Sequence, residues 1–498
     1  MAQVLQEILN EKYDICSQER MPLFEALVNY AKKNTTPFDV PGHKMGALKS
    51  PLNDVFSDFT MKMDVNSMKE LDLLSHPSSV IQEAQQLAAE AFRAKAAYFL
   101  VNGTSIGILA MILSACKPGD HILVPRNCHK SVMNGIILSG ACPVFLEPEV
   151  DQHFGISHGV SVRTIEKALT LHPKAKALLV TYPTYFGTMN DLEKICTLAH
   201  KQNIAVIVDS AHGTHLSFVD SLPDPIQAGA DLVTMSMHKT GGSLTQSSIL
   251  LLNSDRISRE QIQKSLNMLQ STSASYLLMS SLDVARHELA LYGAIRYHSL
   301  KEIIEQTIIE IEEHTSFEVL KNSYVKHRFS QLHDYTKLVI RVNESGLSGF
   351  EVYTLLKEKY NIQMELAEGY VVMAVITPAD TKESLEKLVT ALVDIERKYG
   401  KGKSIRYPHV TPFSANTLLL TPREAYYAEH EEIPIHEAIG RISADSLMIY
   451  PPGIPLVIPG EYVSKEVIEQ YHYYIQNFGN ILSDSPRKNH ITVVKEKK

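Results

Sequence analysis

Apolar and polar residues follow two different periods along this chain, and between about residue 80 and 290 the periods take turns. Stretches with an apolar repeat near 3.6 residues predict helices at 80–95, 105–116, 129–139, 161–171 and 190–202. Between them lie short apolar runs that predict strands: one after residue 95, then "HILVP" (121–125), "PVFLE" (143–147), "KALLVTY" (176–182) and "IAVIVD" (204–209). Two further runs, "ADLVTMSM" (230–237) and "SSILLL" (247–252), follow without a helix between them. This alternation predicts an α/β fold with a mostly parallel sheet covered by helices on both faces, whose ligand sits at the carboxyl ends of the strands.

Outside that block the pattern changes. The first 36 residues read as two helical stretches, broken by proline and glycine in "PFDVPGHKMG" (37–46). A long helix over about 278–313 leads to strand "KLVIRV" (337–342), helix 348–360, strands 363–366 and 370–376, and helix 381–399, which together predict a small α+β domain. The tail from 406 carries "YPPGIPLVIPGE" (450–461), whose prolines exclude an ordinary helix. The expected division is an N-terminal helical segment (1–46), a large domain (47–295), a small α+β domain (296–405) and a C-terminal subdomain (406–498).

Composition narrows the class of partner. With 498 residues and 44% hydrophobic content the chain can bury a large core. A formal net charge of −8 provides no basic field for nucleic acid or an anionic membrane surface, and suits a cationic small molecule better. The five cysteines (Cys16, Cys116, Cys128, Cys142 and Cys196) are odd in number and widely spaced, which argues against a disulfide framework or a metal site. The N-terminal "MAQVLQEILNEKYD" has neither a basic start nor an apolar core, and no apolar run approaches bilayer length, so the cytoplasm is the expected compartment.

Candidate chemistry gathers at the strand ends. Asp209 closes one strand and Lys239 follows the next, so both side chains are expected at the same sheet edge. In "VNGTSIGILAM" (101–111), Gly103, Thr104 and Ser105 mark a strand-to-helix junction, where free N–H groups and the helix dipole attract a phosphate. "PRNCHKS" (125–131) brings His129 to the start of another helix, a flat ring able to stack on an aromatic cofactor. A phosphate cradle, an acid, a planar stacker and an amine match the needs of pyridoxal 5'-phosphate (PLP): a lysine of lowered pKa forms a Schiff base with the aldehyde, and a carboxylate keeps the pyridine nitrogen protonated. Taken singly, each signal has an ordinary explanation as a cap or turn former. The bare pattern leaves other phosphate-ligand folds open.

The motifs carry a resemblance. "SMHKTGGSLTQSS" (236–248) is similar to the lysine-attachment signature of the bacterial Orn/Lys/Arg decarboxylase family. "FDVPGHKMG", "FLVNGTSIG", "PRNCHKSVMNGIILSGACPVF", "PTYFGTMNDL", "VDSAHGTH" and the stretch 420–461 resemble further family segments, so the likeness covers nearly the whole chain. It is nearest to the short members that act on arginine. The resemblance implies the aspartate aminotransferase-like, PLP-dependent fold type I. It implies decarboxylation of a basic amino acid, with L-arginine to agmatine and CO2 first and lysine or ornithine behind it, in polyamine biosynthesis.

Carried over by motif, Lys239 would be the Schiff-base lysine, Asp209 the partner of the pyridine nitrogen and His129 the stacking ring. Thr104 and Ser105, after Gly103, would bind the phosphate, with Ser236 and His238 helping. Lys239 and His238 are the candidate proton donors to Cα. "LQSTSASYLLMSSLDVAR" (269–286) resembles the segment that reaches a neighbouring subunit, so Ser271 would complete the phosphate cradle in trans. A homodimer, or a dimer of dimers with shared sites, follows from that. Glu365 in "NIQMELAEGY" resembles a family glutamate suited to the substrate's distal cation.

One position departs from the family's larger members, and one segment from its short members. His212 stands where larger members have a tryptophan. "LDLLSHPSS" (71–79) replaces "LDDLHAP", which removes one acid and moves the histidine to His76. Rival readings are an aminotransferase or β-eliminating lyase of the same fold, and a non-catalytic relative that regulates polyamine metabolism.

Overall fold

In the computed structural model the described residues are 15–406, 417–449, 454–477, 481–483, 485 and 487–496. The N-terminal "MAQVLQEILNEKYD" and the start of the "YPPGIPLVIPGE" segment, residues 450–453, lie outside them. The described residues form two compact units, one from Met1–Ser114 and Ala205–His298, the other from Ala115–Ile204 and Ser299–Lys498.

The strands of the α/β block are β1 (Ala96–Leu100), β2 (His121–Pro125), β3 (Cys142–Leu146), β4 (Ala177–Thr181), β5 (Ala205–Asp209), β6 (Leu232–Met235) and β7 (Ser248–Leu252), in the order β1-β7-β6-β5 within the first unit and β4-β2-β3 within the second. In the first unit, β5 and β6 run parallel, with Asp209 opposite Thr234, while β7 is antiparallel to both β6 and β1. The reversal of β7 has a simple cause. The connection from β6 carries only a single short helical turn, Met237–Thr240, and no full crossover helix, and it returns the chain antiparallel. In the second unit, β2 runs parallel to β3 and β4. Every residue of β5, β6 and β7 is buried, which is why these strands read as continuous apolar runs.

In the first unit, helix α1 (Pro22–Lys32) packs against α2 (Val80–Ala91). The expected helix 80–95 stops at Ala91 because Arg93 turns left-handed (φ 57) and Ala94 N–H bonds the Ala89 carbonyl. Arg93 then donates to the Ser217 carbonyl and to Asp224. α3 (Gly103–Ala115) starts two residues earlier than its pattern suggests. α4 (Lys130–Ser139), α5 (Val162–Leu171) and α6 (Leu192–His200) follow β2, β3 and β4 in the second unit, close to their expected positions. The short α7 (Met237–Thr240) carries the motif lysine, and α8 (Tyr276–His314) is the long helix.

The small antiparallel sheet holds β8 (Glu318–Val319), β9 (Lys337–Arg341), β10 (Leu366–Ala367) and β11 (Val371–Val375) in the order β8-β9-β11-β10, flanked by α9 (Gly349–Tyr360) and α10 (Lys382–Tyr399). Its β10 begins later than the expected strand 363–366. Asn361 is spent as a left-handed cap of α9, and Ile362 N–H closes that helix on Leu356. In the tail, Ile454–Val457 is a strand paired with Leu447–Ile449, over a core that includes Leu447, Val457, Val463, Tyr471 and Ile491. No helix among the described residues is long and apolar enough to cross a membrane.

Candidate active site

The carboxyl ends of β5 and β6 present the acid and the amine. Asp209 is the last residue of β5 and only 4% exposed, and its carboxylate accepts from Ala211 N–H at 3.2 Å. Lys239 sits in α7, one turn after β6. Its Nζ lies 2.9 Å from Nε2 of the buried His212. The two nitrogens share one proton in that hydrogen bond, whichever of them donates it; an amine attacks a carbonyl in its neutral state.

The loops carrying these groups are fastened to each other. Thr214 Oγ1 donates to the Ser236 carbonyl at 3.2 Å, and Tyr297, reaching from α8, donates to the Thr240 carbonyl at 2.6 Å while its ring stacks on His215. His238 Nδ1 donates to the Ser247 carbonyl at 2.9 Å. That bond fixes the tautomer and leaves Nε2 as the nitrogen that can take up and return a proton.

A hydroxyl cluster lies beside the start of α3. Thr104 Oγ1 is 2.5 Å from Ser236 Oγ and 2.9 Å from Ser248 Oγ. Nothing lies within 4 Å of the place where a Cβ on Gly103 would stand, so the helix start is open. Gly107, one turn on, lets α3 lie against β6: a Cβ there would meet Thr234 Oγ1 at 2.1 Å. A thirteen-residue helix start, three hydroxyls, a buried carboxylate and an amine form a set that fits a phosphorylated pyridine aldehyde. The first unit thus brings together Gly103, Thr104, Ser236, His238, Lys239, Asp209 and His212. Ser105 is the next residue of α3 and is exposed.

Ser271 N–H faces Asn102 Oδ1 at 3.4 Å, and Gln270 is bonded to the end of β1, so within one chain the 270–273 segment lies along the Gly103 turn. The departing segment 71–79 is accounted for structurally. Asp72, itself at φ 68, accepts N–H bonds from Leu73, Ser78, Ser79, Ile81 and Gln82. Burial alone would raise its carboxyl, and the backbone donors hold it below the usual range. Burial, with Asp72 alongside, pushes the neighbouring Tyr276 hydroxyl up to about 12. His76 is exposed.

Two of the expected site residues belong to the second unit. His129 caps α4: its Nδ1 accepts from Ser131 N–H at 3.2 Å and lies 2.7 Å from Ser131 Oγ, which fixes the ring's orientation and leaves the proton on Nε2. Glu365 is exposed and accepts from the Tyr185 hydroxyl at 2.9 Å. The sequence reading missed Tyr185, Ser248, Thr214 and Tyr297. Ser248 could have been found from its place at the start of a buried strand opposite the lysine loop, and Tyr185 from its position beside "FGT" after a strand end. The others act through contacts that no local pattern encodes.

Residues 21–384 match the model of the Orn/Lys/Arg decarboxylase major domain, and residues 404–484 match that of the family's C-terminal domain. The chain belongs to the Orn/Lys/Arg decarboxylase family. It is thereby an amino acid decarboxylase. The arginine decarboxylase of Bacillus subtilis (strain 168) is 42% identical over 455 residues, 91% of this chain and 93% of that protein. That of Bacillus anthracis is 43% identical over 464 residues, 91% and 92% of the two chains. More distantly, the inducible lysine decarboxylase of Escherichia coli (strain K12) is 24% identical over 89% of this chain. Among solved structures, the lysine decarboxylase of Francisella novicida superposes with a TM-score of 0.82 at 20% identity, covering 95% of this chain and 81% of that one. An alanine–glyoxylate aminotransferase from Nostoc sp. gives 0.52 at 18% identity over 65% and 88%. The family member therefore has the aspartate aminotransferase-like fold type I, with the mostly parallel sheet that the alternating pattern implied.

Proposed function

We propose that the protein is a PLP-dependent carboxy-lyase that converts L-arginine to agmatine and CO2. The observation that carries the chemistry is the Lys239 amine held 2.9 Å from a histidine ring beside a cluster of hydroxyls. The choice of arginine is supported by likeness, at 42–43% identity over 91% of the chain, to arginine decarboxylases of two bacilli.

Lys239 would hold the cofactor's aldehyde carbon and Asp209 its ring nitrogen. The N–H groups of Thr104 and Ser105, after Gly103, whose own N–H is donated to the Gln246 carbonyl, would hold the phosphate with Ser236 and His238. His129 keeps the stacking role that its motif implies, and His212 lies beside the lysine. Once bound, PLP supplies an electron sink for the pair left on Cα when the carboxylate departs. The chain's own work is to bind, orient and move protons. His212 accepts the proton that Lys239 must lose, and His238 Nε2 and Lys239 Nζ are the groups able to return one to Cα. Glu365, its carboxylate oriented by Tyr185, is proposed to meet the guanidinium of the substrate.

The proposed working unit is a homodimer, or a dimer of dimers, in which Ser271 of the partner subunit completes each phosphate site. The proposed setting is polyamine synthesis in the cytoplasm. The test offers arginine, lysine and ornithine separately to purified protein with PLP and resolves the amines formed. Agmatine is the expected product. Cadaverine or putrescine alone would move the assignment to lysine or ornithine, and a keto acid would move it to an aminotransferase or lyase. Inactivity toward all three would favour a regulatory relative.

A further inference from the structure

The second unit contains an ion pair at the root of the His129 loop that the reaction does not use. Arg126 directly follows β2, three residues before His129, and is 1% exposed. Its guanidinium makes two hydrogen bonds to the carboxylate of Glu461, also 1% exposed: Nη1 bonds Oε1 and Nη2 bonds Oε2 at 2.8 Å. The same guanidinium lies 4.9 Å from the centre of the Phe145 ring, and Arg126 N–H joins β3 at the Leu146 carbonyl.

Glu461 is itself rigidly placed. Its Oε2 accepts from Ile458 N–H at 3.1 Å, its backbone N–H returns to the Ile458 carbonyl, and its carbonyl accepts from Ser443 N–H. The turn needs Gly460, at φ 92, because a Cβ there would stand 2.2 Å from the Leu420 carbonyl. On the other side of the loop, Asn127 Nδ2 donates to Ser157 Oγ and to the His158 carbonyl. Glu147 adds a second, partly buried carboxyl near the same cation, and its pKa is raised: burial raises it most, Arg126 opposes, and Glu461 adds to the rise.

A buried pair of this kind contributes little net stability compared with apolar residues of the same volume, so its use is better sought in geometry. Arg126 cannot move without leaving a buried charge unpaired, and the backbone that follows it carries His129. We infer that Glu461, in the C-terminal domain, is a positioning residue: through Arg126 it fixes the 126–129 loop and so sets the ring of His129 for the cofactor. The inference rests on the stacking role proposed above for His129, and it gives the C-terminal domain a part in building the site.

The test measures PLP affinity of the apoprotein and hydrogen exchange at residues 127–133 in four proteins. They are wild type, Glu461→Gln, the paired variant Arg126→Met with Glu461→Leu, and Val467→Ala, which cuts into the C-terminal core from the helix Lys465–Asn477. The first two variants are expected to bind PLP about tenfold more weakly or worse and to exchange faster at 127–133. Val467→Ala, although less stable to heat, is expected to keep wild-type affinity. If Glu461→Gln fails to fold, the paired variant, which leaves no unpaired charge, decides. Unchanged affinity and exchange in the paired variant overturn the inference, as does an equal loss in Val467→Ala, which would make the role merely structural. Wild-type protein that takes up no PLP overturns the functional reading instead, and exchange at 127–133 then decides the positioning claim alone.

Discussion

Lys239 and Lys337 both sit at the end of a buried strand, yet different groups surround them. The Lys239 amine lies 2.9 Å from the His212 ring, in the short helix that follows Ser236 of the hydroxyl cluster. Lys337, wholly buried at the start of β9, donates to Asp334 Oδ2 at 3.0 Å and to Thr336 Oγ1 at 3.1 Å, while Thr336 is itself bonded to Asp334. That ion pair ties Lys337 into its own strand end, whereas Lys239 stands beside hydroxyls and a helix start able to hold a phosphate. Burial therefore does not decide what a lysine does; the groups gathered around it do.

The largest effects expected are those that exchange the two roles. Lys239→Ala should lower decarboxylation by about a thousandfold or more with the thermal midpoint little changed, checked by steady-state assay and calorimetry. Lys337→Met should do the reverse. Leaving Asp334 buried without its cation costs about 3–5 kcal/mol in chemical denaturation, while protein that remains folded should still capture PLP.

At the substrate end, Glu365→Gln should cost about 2 kcal/mol of transition-state binding for arginine, roughly thirtyfold in kcat/KM, with the PLP absorbance unchanged. Burial, against an opposing pull from Asp334, lowers the pKa of His333 from 6.5 to about 4. Between those values the unfolded chain binds a proton that the folded chain refuses, so stability falls as pH drops from 6.5 toward 4. Denaturation at pH 7 and pH 5 should show wild type losing about 2 kcal/mol more than His333→Gln. The smallest effect concerns the His129 ring: Ser131→Ala removes one partner and should weaken PLP binding by about fivefold.

The contrast also explains what the sequence could disclose. Asp209 and Lys239 were legible because each follows a buried run of period-less apolar residues, and strand ends are where parallel sheets place chemistry. Most elements between 96 and 252 were legible for the same reason. The direction of β7 was not, since an apolar run carries no polarity and only the missing crossover betrays it. Lys337 also starts an apolar run, "KLVIRV", and nothing in that run reveals that Asp334 locks it. His212 showed in its motif as a ring near the lysine, but its proton-sharing contact spans 27 residues. The Tyr185–Glu365 and Arg126–Glu461 contacts span 180 and 335 residues, beyond the reach of periodicity or local motif. The 71–79 segment was visible as a departure, yet the task of its retained Asp72, gathering backbone N–H groups, needed coordinates.

Borohydride reduction of the PLP-loaded protein, followed by peptide mapping, tests the central claim most directly. The account predicts a pyridoxyl tag on the peptide that carries Lys239 and none on the peptide that carries Lys337. A tag on any other lysine, or no tag, would contradict it.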